Sequence, residues 1–297
     1  MSYRGSKIKM KENQKRNPKK YYRYGIIIVI ILLLIGTSAT LVIKHYQSSQ
    51  ITPLVQVSSS VITKITAILA APSPRSVTSI PILYYHSVAI EPGNPLRMPP
   101  KQFEEQMKYL AGQGYEVLSE NQFYEGFSNK IKLLDKSVVI TFDDGYDDNF
   151  TNAFPIMQKY QFVGTVFIPS SYINGPGYLT SDQLEKLQAA GWTIGGHSQN
   201  HTNLEKVSTT VAAQEIITAN RTLKKLLGHP VTNFAYPYGG YSPDVANLVH
   251  KYGCRTAYTT QKGWAKVGGD PLSLPRVYCY ANMGIQEFAR RLTYFDY

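Results

Sequence analysis

The chain has 297 residues, of which 43% are hydrophobic and 17% are charged. This composition supplies a core for one large folded domain, so it excludes a disordered chain and a small domain that depends on disulfides. The formal net charge is +11, but residues 1–24 carry nine Lys or Arg and one Glu and so hold most of it. A nucleic-acid-binding protein would carry its basic residues on the folded domain, so this distribution excludes nucleic acid as the expected partner and indicates a membrane.

Residues 25–43 contain no charged side chain and are about as long as a transmembrane helix requires. Because basic residues precede this segment, the positive-inside rule keeps residues 1–24 in the cytoplasm and places the rest outside. A cleaved signal peptide is the alternative, but its apolar region is usually shorter, and no small-x-small site directly follows Ile43. We therefore expect a single uncleaved anchor at 25–43, an extracytoplasmic linker at 44–79 and a folded domain at 80–297.

From residue 80 onward, short apolar runs alternate with stretches whose apolar residues are spaced for one helix face. The clearest helix is predicted at 211–227, with Ser208 as its N-cap and Gly228 at its end. Strands that alternate with helices form a parallel sheet covered by helices, and roughly seven units predict a (β/α) barrel. The functional residues of such a barrel follow the strands directly. The predicted strands lie at 81–85, 115–118, 137–142, 164–168, 193–196, 233–236 and 256–259.

Two adjacent carboxylates, Asp143 and Asp144, directly follow the strand predicted at 137–142. Buried charges need partners, so two such residues at a strand end indicate a site rather than ordinary core packing. The alternative is that they belong to the N-cap and turn of the next helix. That explanation suits Asp147 and Asp148, a few residues further on.

His197 and His201 follow the strand predicted at 193–196. Histidines four residues apart on one helical turn present their imidazoles on the same side. A lone His is more often a packing or surface residue, but a pair at this spacing indicates two ligands of a metal ion. One of the two aspartates would provide a third ligand and leave a coordination position open, as catalytic zinc requires. The other aspartate would be free to act as a base.

The segment 234–240, Phe-Ala-Tyr-Pro-Tyr-Gly-Gly, is predicted as a strand that runs into a turn. The backbone N–H groups of such a turn can point outward. Alone the turn has no functional meaning, but beside a metal ion it could donate to an oxyanion.

Three motifs together identify a family. TFDDG at 141–145, HSQNH at 197–201 and AYPYG at 235–239 resemble, in order and spacing, the first three motifs of the NodB-type polysaccharide deacetylases, carbohydrate esterase family 4. The resemblance covers residues 80–295. It implies a distorted (β/α) barrel and a divalent metal, most often zinc and sometimes cobalt or nickel.

The resemblance also implies residue roles. Asp143 would be the general base, and Asp144, His197 and His201 would be the metal ligands. The backbone of Tyr238 would help to stabilise the oxyanion. The implied reaction is hydrolysis of the N-acetyl groups of an extracellular polysaccharide that contains N-acetylglucosamine, with release of acetate.

The sequence departs from the family pattern at two places. The Arg that begins the third motif and orients the base is replaced by Ala235, and Arg276 is the best candidate to take over its role. The family's last motif carries a His as general acid, but no His follows His250. The opening PILYYHSV at 81–88 resembles the poly-N-acetylglucosamine deacetylase branch, where a His near the domain start can occupy the acid's place, and this implies His86.

Alternatives stay open at several points. His86 could be a hydrogen-bonded residue at the edge of the core, and Trp264 is a candidate wall for stacking a sugar ring. The Ala at position 235 would suit a catalytically impaired carbohydrate-binding protein of the cell surface, although the complete metal set argues against it. A metal-dependent amidase for another acylated substrate is the second rival. We expect a monomer, and the sequence does not decide whether Cys254 and Cys279 pair.

Overall fold

The computed structural model describes residues 77–295. The tail, the predicted anchor and the linker up to residue 76 lie outside the described residues, so those assignments stay predictions. Across residues 77–295, no helix is both long enough and apolar enough to cross a bilayer. The strands of this range are Ser79–Ile80 (β1), Ile82–Tyr85 (β2), Glu116–Val117 (β3), Ser137–Phe142 (β4), Thr165–Ile168 (β5), Thr193–Gly196 (β6), Asn233–Ala235 (β7), Thr256–Lys262 (β8), Ala265–Lys266 (β9) and Leu274–Tyr278 (β10).

Seven of these strands close into a parallel barrel. The order around the ring is β2, β4, β5, β6, β7, β8 and β10, and β10 pairs again with β2. Outside the ring, β3 extends the sheet beside β4, and β1 and β9 form a separate antiparallel pair. The helices of this range are Pro100–Gly112 (α1), Glu120–Phe127 (α2), Phe154–Lys159 (α3), Ser181–Ala189 (α4), Thr209–Leu227 (α5), Pro243–Lys251 (α6) and Ile285–Arg291 (α7). The predicted barrel of about seven units is confirmed.

One member of the ring differs from the prediction. The run predicted at 115–118 is shortened to β3 and lies outside the ring, whereas β10 completes the ring and is absent from the predicted strands. The sequence of β10 hides it because Pro275 and the charged Arg276 interrupt its apolar residues. It can nevertheless be a buried strand because Arg276 finds a carboxylate partner inside the barrel, in Asp143.

The longest helix confirms the prediction from its capping residues. The side chain of Ser208 accepts a hydrogen bond from the Val211 N–H at 3.4 Å, and α5 begins at the next residue. Gly228 ends the helix with a φ of 77°, in the left-handed region that glycine adopts without strain. Helices α1 and α4 likewise bury one apolar face, with Phe103, Met107 and Leu110 in α1 and Leu184 and Leu187 in α4.

The core has an inner and an outer part because side chains alternate between the two faces of a strand. Along β4, Val139 packs inside the barrel with residues of the other strands, and Ile140 packs outward against the helices. The same alternation turns Thr141 and then Asp143 toward the inside. Both cysteines are buried and free, and they lie in different clusters of the core.

Candidate active site

The two aspartates at the end of β4 enter different environments. The backbone N–H of Asp143 still donates to the Tyr85 carbonyl at 2.9 Å, which continues the pairing with β2. Asp144 and Gly145 then adopt φ values of 70° and 69°, which turn the chain sharply away from the strand. The side chain of Asp143 is therefore buried in the barrel, whereas that of Asp144 faces the loops at the rim.

Asp143 forms a fork-to-fork ion pair with Arg276. Its Oδ1 and Oδ2 accept hydrogen bonds from Nη1 and Nη2 at 2.8 and 2.7 Å, and Arg276 is fully buried. The guanidinium also donates through Nε to the Thr259 carbonyl at 2.8 Å and lies 4.4 Å from the ring centre of Tyr84. Burial raises the pKa of Asp143, but the charge and hydrogen bonds of Arg276 outweigh it, so the net pKa is lowered and the carboxylate is ionised.

Asp144, His197 and His201 bring one oxygen and two nitrogens together. The three ligand atoms lie within 4.8 Å of one another, and Asp144 Oδ1 is 3.2 Å from Nε2 of His201 and 3.5 Å from Nε2 of His197. Burial raises the pKa of Asp144, but the facing imidazoles outweigh it and lower the net pKa. These three atoms thus form a compact set of the kind that binds a divalent cation.

The ring of His197 is oriented by the third motif. Its Nδ1 lies 2.7 Å from the carbonyl oxygen of Ala235, which can only accept, so Nδ1 carries the proton and Nε2 faces Asp144. The pKa of His197 is raised, because the nearby carboxylates outweigh the lowering effect of its burial. The side chain of Ala235 packs inside the barrel. The guanidinium that pairs with Asp143 comes from Arg276 of β10.

The expectation that the two histidines share a helical turn is wrong. Residues 197–201 form a non-helical turn after β6, in which Ser198 and His201 have φ values of 61° and 56°. The two imidazoles still converge, with ring centres 4.8 Å apart. Their convergence comes from the left-handed residues of the turn rather than from helical spacing. The sequence does not reveal this turn, because neither left-handed position is a glycine.

Glu215 of α5 holds this turn and was missed by sequence reasoning. Its carboxylate accepts hydrogen bonds from the backbone N–H groups of Gln199 and Asn200, at 3.0 and 2.8 Å, and from the Asn200 side-chain amide at 2.8 Å. Glu215 is buried, although it lies on a helix whose other buried side chains are mostly apolar. A charged residue on the buried face of the predicted helix was the only signal for it.

Tyr238 lies beside the metal-ligand set. Its φ of 61° is left-handed, its side chain is exposed, and its ring centre is 4.7 Å from that of His201. The turn after β7 therefore places the ring of a left-handed, non-glycine residue next to His201, and the role of its backbone as an oxyanion donor stays a prediction.

His86 directly follows β2, the strand paired with β4, and it is partly buried. Its ring makes edge contacts with Tyr84 and Tyr278, at centroid distances of 5.9 and 6.2 Å. Burial lowers the pKa of His86, and the charges of Asp143 and Asp144 oppose this shift. His86, Asp143 and Asp144 thus interact electrostatically at the same end of the barrel.

The structure also places two other residues that the sequence singled out, Asp148 and Trp264. Asp148 caps no helix through its side chain; its carboxylate accepts instead from the Val88 N–H at 2.7 Å and from the Ser87 hydroxyl at 2.5 Å. Asp148 thus occupies the N-cap position of the π-helical turn Asn149–Ala153, as the capping explanation requires, but its side chain makes no capping hydrogen bond. Trp264 packs against the cluster between the strands and the helices, and its indole N–H donates to the Arg291 carbonyl of α7 at 3.0 Å.

Comparisons with known proteins agree with this arrangement. Residues 130–257 match the family model described as polysaccharide deacetylase. Over 209 residues the chain is 31% identical to the Bacillus subtilis protein YxkH, named as a polysaccharide deacetylase, which covers 70% of this chain and 74% of that protein. It is 26% identical over 191 residues to the poly-beta-1,6-N-acetyl-D-glucosamine N-deacetylase of Staphylococcus epidermidis, covering 60% of this chain and 66% of that one.

A solved structure shows the same architecture. The Streptococcus pyogenes deacetylase PplD, determined in complex with acetate, superimposes with a TM-score of 0.69 at 27% identity, covering 73% of this chain and 99% of that one. The motifs, the closed seven-stranded barrel and these matches lead to one conclusion. This chain belongs to the polysaccharide deacetylase family and is an N-deacetylase hydrolase.

Proposed function

We propose that the protein removes N-acetyl groups from an extracellular polysaccharide that contains N-acetylglucosamine and releases acetate. The observation that carries the proposal is the bidentate ion pair between Asp143 and Arg276. It directly precedes Asp144, which forms the ligand set with His197 and His201. The name of the S. epidermidis relative supports a poly-N-acetylglucosamine substrate.

The three ligand residues fit a divalent cation. Asp144 Oδ1 is buried and has no hydrogen-bond partner in the described part of the chain, and two imidazole nitrogens face it. A cation there would satisfy all three atoms, and a buried polar atom without any partner would otherwise be costly. Zinc is the expected ion because it takes imidazole and carboxylate ligands, with cobalt or nickel as alternatives. When bound, it would polarise the acetyl carbonyl and lower the pKa of the attacking water.

The protein's own residues would then move two protons. Asp143 accepts a proton from the water that attacks the acetyl carbon, and Arg276 keeps the carboxylate ionised and fixed in orientation. The backbone N–H of Tyr238 donates to the carbonyl oxygen as negative charge develops on it. His86 protonates the sugar nitrogen as the carbon–nitrogen bond breaks, since an amide nitrogen leaves poorly without a proton. The products are acetate and a sugar amine.

The rival functions make different predictions. A catalytically impaired binding protein was suggested by the Ala at position 235, but Arg276 supplies the guanidinium from another strand, which weakens that argument. An amidase for another acylated substrate would release a different acid.

Incubation of the purified protein with β-1,6-linked poly-N-acetylglucosamine, peptidoglycan and an O-acetylated glycan tests the choice of substrate. We expect acetate from the first polymer, and elemental analysis should find zinc in the wild type but little in His197→Ala. Absence of acetate from all three polymers would contradict the proposed activity. Zinc content equal to the wild type in His197→Ala would contradict the ligand assignment.

We also propose that residues 25–43 anchor the protein in the cell membrane with the barrel outside. The proposal rests on the basic tail and the uncharged segment of the sequence. Protease added to intact protoplasts should remove the domain at 80–297 and spare the tail. Protection of the domain by an intact membrane would contradict this topology.

A further inference from the structure

We propose that Asp148 and Asn149 are positioning residues that hold His86 at the rim of the barrel. This inference rests on the proposed role of His86 as the proton donor to the leaving amine. Asp148 and Asn149 begin the π-helical turn Asn149–Ala153, which follows the Asp143–Asp144 motif. One short segment of chain would thus fix the position of His86, the proposed acid, relative to Asp143, the proposed base.

Asn149 holds the backbone of His86 directly. Its side-chain amide donates to the His86 carbonyl at 2.7 Å, and Asn149 is fully buried. In the same turn, Asn152 donates from its side chain to the Val88 carbonyl at 2.9 Å. The residues on either side of Ser87 are therefore tied to one helical turn.

Asp148 holds the two residues after His86. Its carboxylate accepts from the Val88 N–H at 2.7 Å and from the Ser87 hydroxyl at 2.5 Å. The Ser87 hydroxyl in turn accepts from Arg97 Nη1 at 2.8 Å, and Arg97 also lies 3.2 Å from Asp148. Ser87 and Asp148 are both buried, so this network exchanges little with solvent and keeps its geometry.

The side chain of His86 has no comparable restraint of its own. Its Nδ1 is buried without a hydrogen-bond partner within residues 77–295, and its ring makes only edge contacts with Tyr84 and Tyr278. The position of the ring therefore depends on the backbone to which it is attached. That backbone is held by Asp148 and Asn149, together with the main-chain hydrogen bonds that Ser87 makes with Leu96 and Met98. A small misplacement of a catalytic group can cost about 100-fold in rate.

The test compares an amide with an activated ester in the full-length, zinc-loaded protein. The amide is a short N-acetylglucosamine oligomer, and the ester is 4-nitrophenyl acetate, whose leaving group needs no proton. Asn149→Ala should slow the amide reaction by about 10–100-fold and leave the ester reaction nearly unchanged. Ser87→Ala, a smaller change in the same network, should show the same selectivity with a smaller loss.

The double variant His86→Ala/Asn149→Ala distinguishes positioning from general structural support. If Asn149 acts through His86, the double variant should be no slower on the amide than His86→Ala alone. Thr151→Ala, an exposed neighbour in the same turn, is the matched control and should behave as wild type. Multiplied losses in the double variant, or equal losses on amide and ester in Asn149→Ala, would overturn the inference. Absence of acetate release by the wild type would instead refute the proposed function.

Discussion

At the scale of single residues, two neighbouring carboxylates are separated by one backbone turn. Asp143 continues the inward face of β4 and meets a buried guanidinium, whereas Asp144 leaves the strand with a left-handed φ and meets two imidazoles. Strand alternation could have predicted the inward direction of Asp143. Its partner, Arg276, lies 133 residues further along the chain, so spacing alone does not identify it, and only the family resemblance made it a candidate.

Arg276→Lys tests the ion pair. A lysine carries the charge but not the planar fork that matches a carboxylate, so the substitution is not conservative here. We expect kcat to fall by roughly 10–100-fold, since Asp143 loses its fixed orientation. Arg276 lowers the pKa of Asp143 through its charge and its hydrogen bonds, and lysine keeps the charge but loses the paired hydrogen bonds. That pKa should therefore rise in part, and the acid limb of the pH–kcat profile should move to higher pH.

The measurement is a pH–kcat profile of wild type and Arg276→Lys with equal zinc content. Circular dichroism should first show that the variant is folded, because breaking a buried ion pair can cost about 3–5 kcal/mol. An acid limb at the wild-type position would mean that the paired hydrogen bonds of Arg276 do not lower the pKa of Asp143.

At the scale of elements, the metal-ligand turn depends on a helix that contributes no ligand. Glu215 of α5 accepts three hydrogen bonds from residues 199 and 200, between the two histidines. A turn with two left-handed non-glycine residues is strained, and such strain persists only where the surroundings hold it.

Glu215→Gln should weaken zinc binding without removing a ligand. The amide side chain can accept through one oxygen only. Either the backbone N–H groups of Gln199 and Asn200 or the side-chain amide of Asn200 therefore lose their acceptor. Losses of about 10–100-fold in metal affinity are typical when a residue that supports a ligand is changed. Competition with a chromophoric zinc chelator measures this affinity, and Gln214→Ala, exposed on the neighbouring position, is the control. Unchanged affinity in folded Glu215→Gln would refute this supporting role.

The interior of the barrel contains a second buried carboxylate, at the start of α2. Glu120 accepts hydrogen bonds from the hydroxyls of Thr256 and Tyr258 of β8, at 2.6 and 2.5 Å. Burial raises the pKa of Glu120 to about 7, and these hydrogen bonds only partly oppose the shift. The folded protein therefore binds a proton at pH values where the unfolded chain has already released it.

The consequence is a pH-dependent stability. Because the pKa is raised on folding, the contribution is complete below the ordinary pKa of 4.5 and is lost as the pH rises through about 7. The free energy of unfolding of Glu120→Gln should equal that of the wild type near pH 4.5. Above a pH of about 7 it should be larger than that of the wild type, by about 3 kcal/mol at most. Urea unfolding of both proteins at several pH values measures the difference. A difference that does not vary with pH would refute the assignment.

At the scale of the whole molecule, the sequence was most informative where signals are local. Alternating apolar runs predicted the barrel, its approximate number of units and the rim on which Asp143, Asp144, His197, His201 and His86 all lie. It was least informative where tertiary contacts decide the structure. The apolar residues of strand β10 are interrupted by Pro275 and Arg276, and Asp143 neutralises the charge that this strand buries.

The central claim, metal-dependent N-deacetylation with Asp143 as the base, is tested most directly by measuring both products of the reaction at controlled metal content. The zinc-loaded protein is incubated with a β-1,6-linked N-acetylglucosamine oligomer, and acetate and new primary amines are both quantified. We predict equal amounts of the two, loss of both on chelation with recovery on adding zinc, and a rate lower by roughly 10²–10⁴ in Asp143→Asn with its metal retained. No acetate from the wild type, or near-normal turnover by metal-loaded Asp143→Asn, would contradict the account.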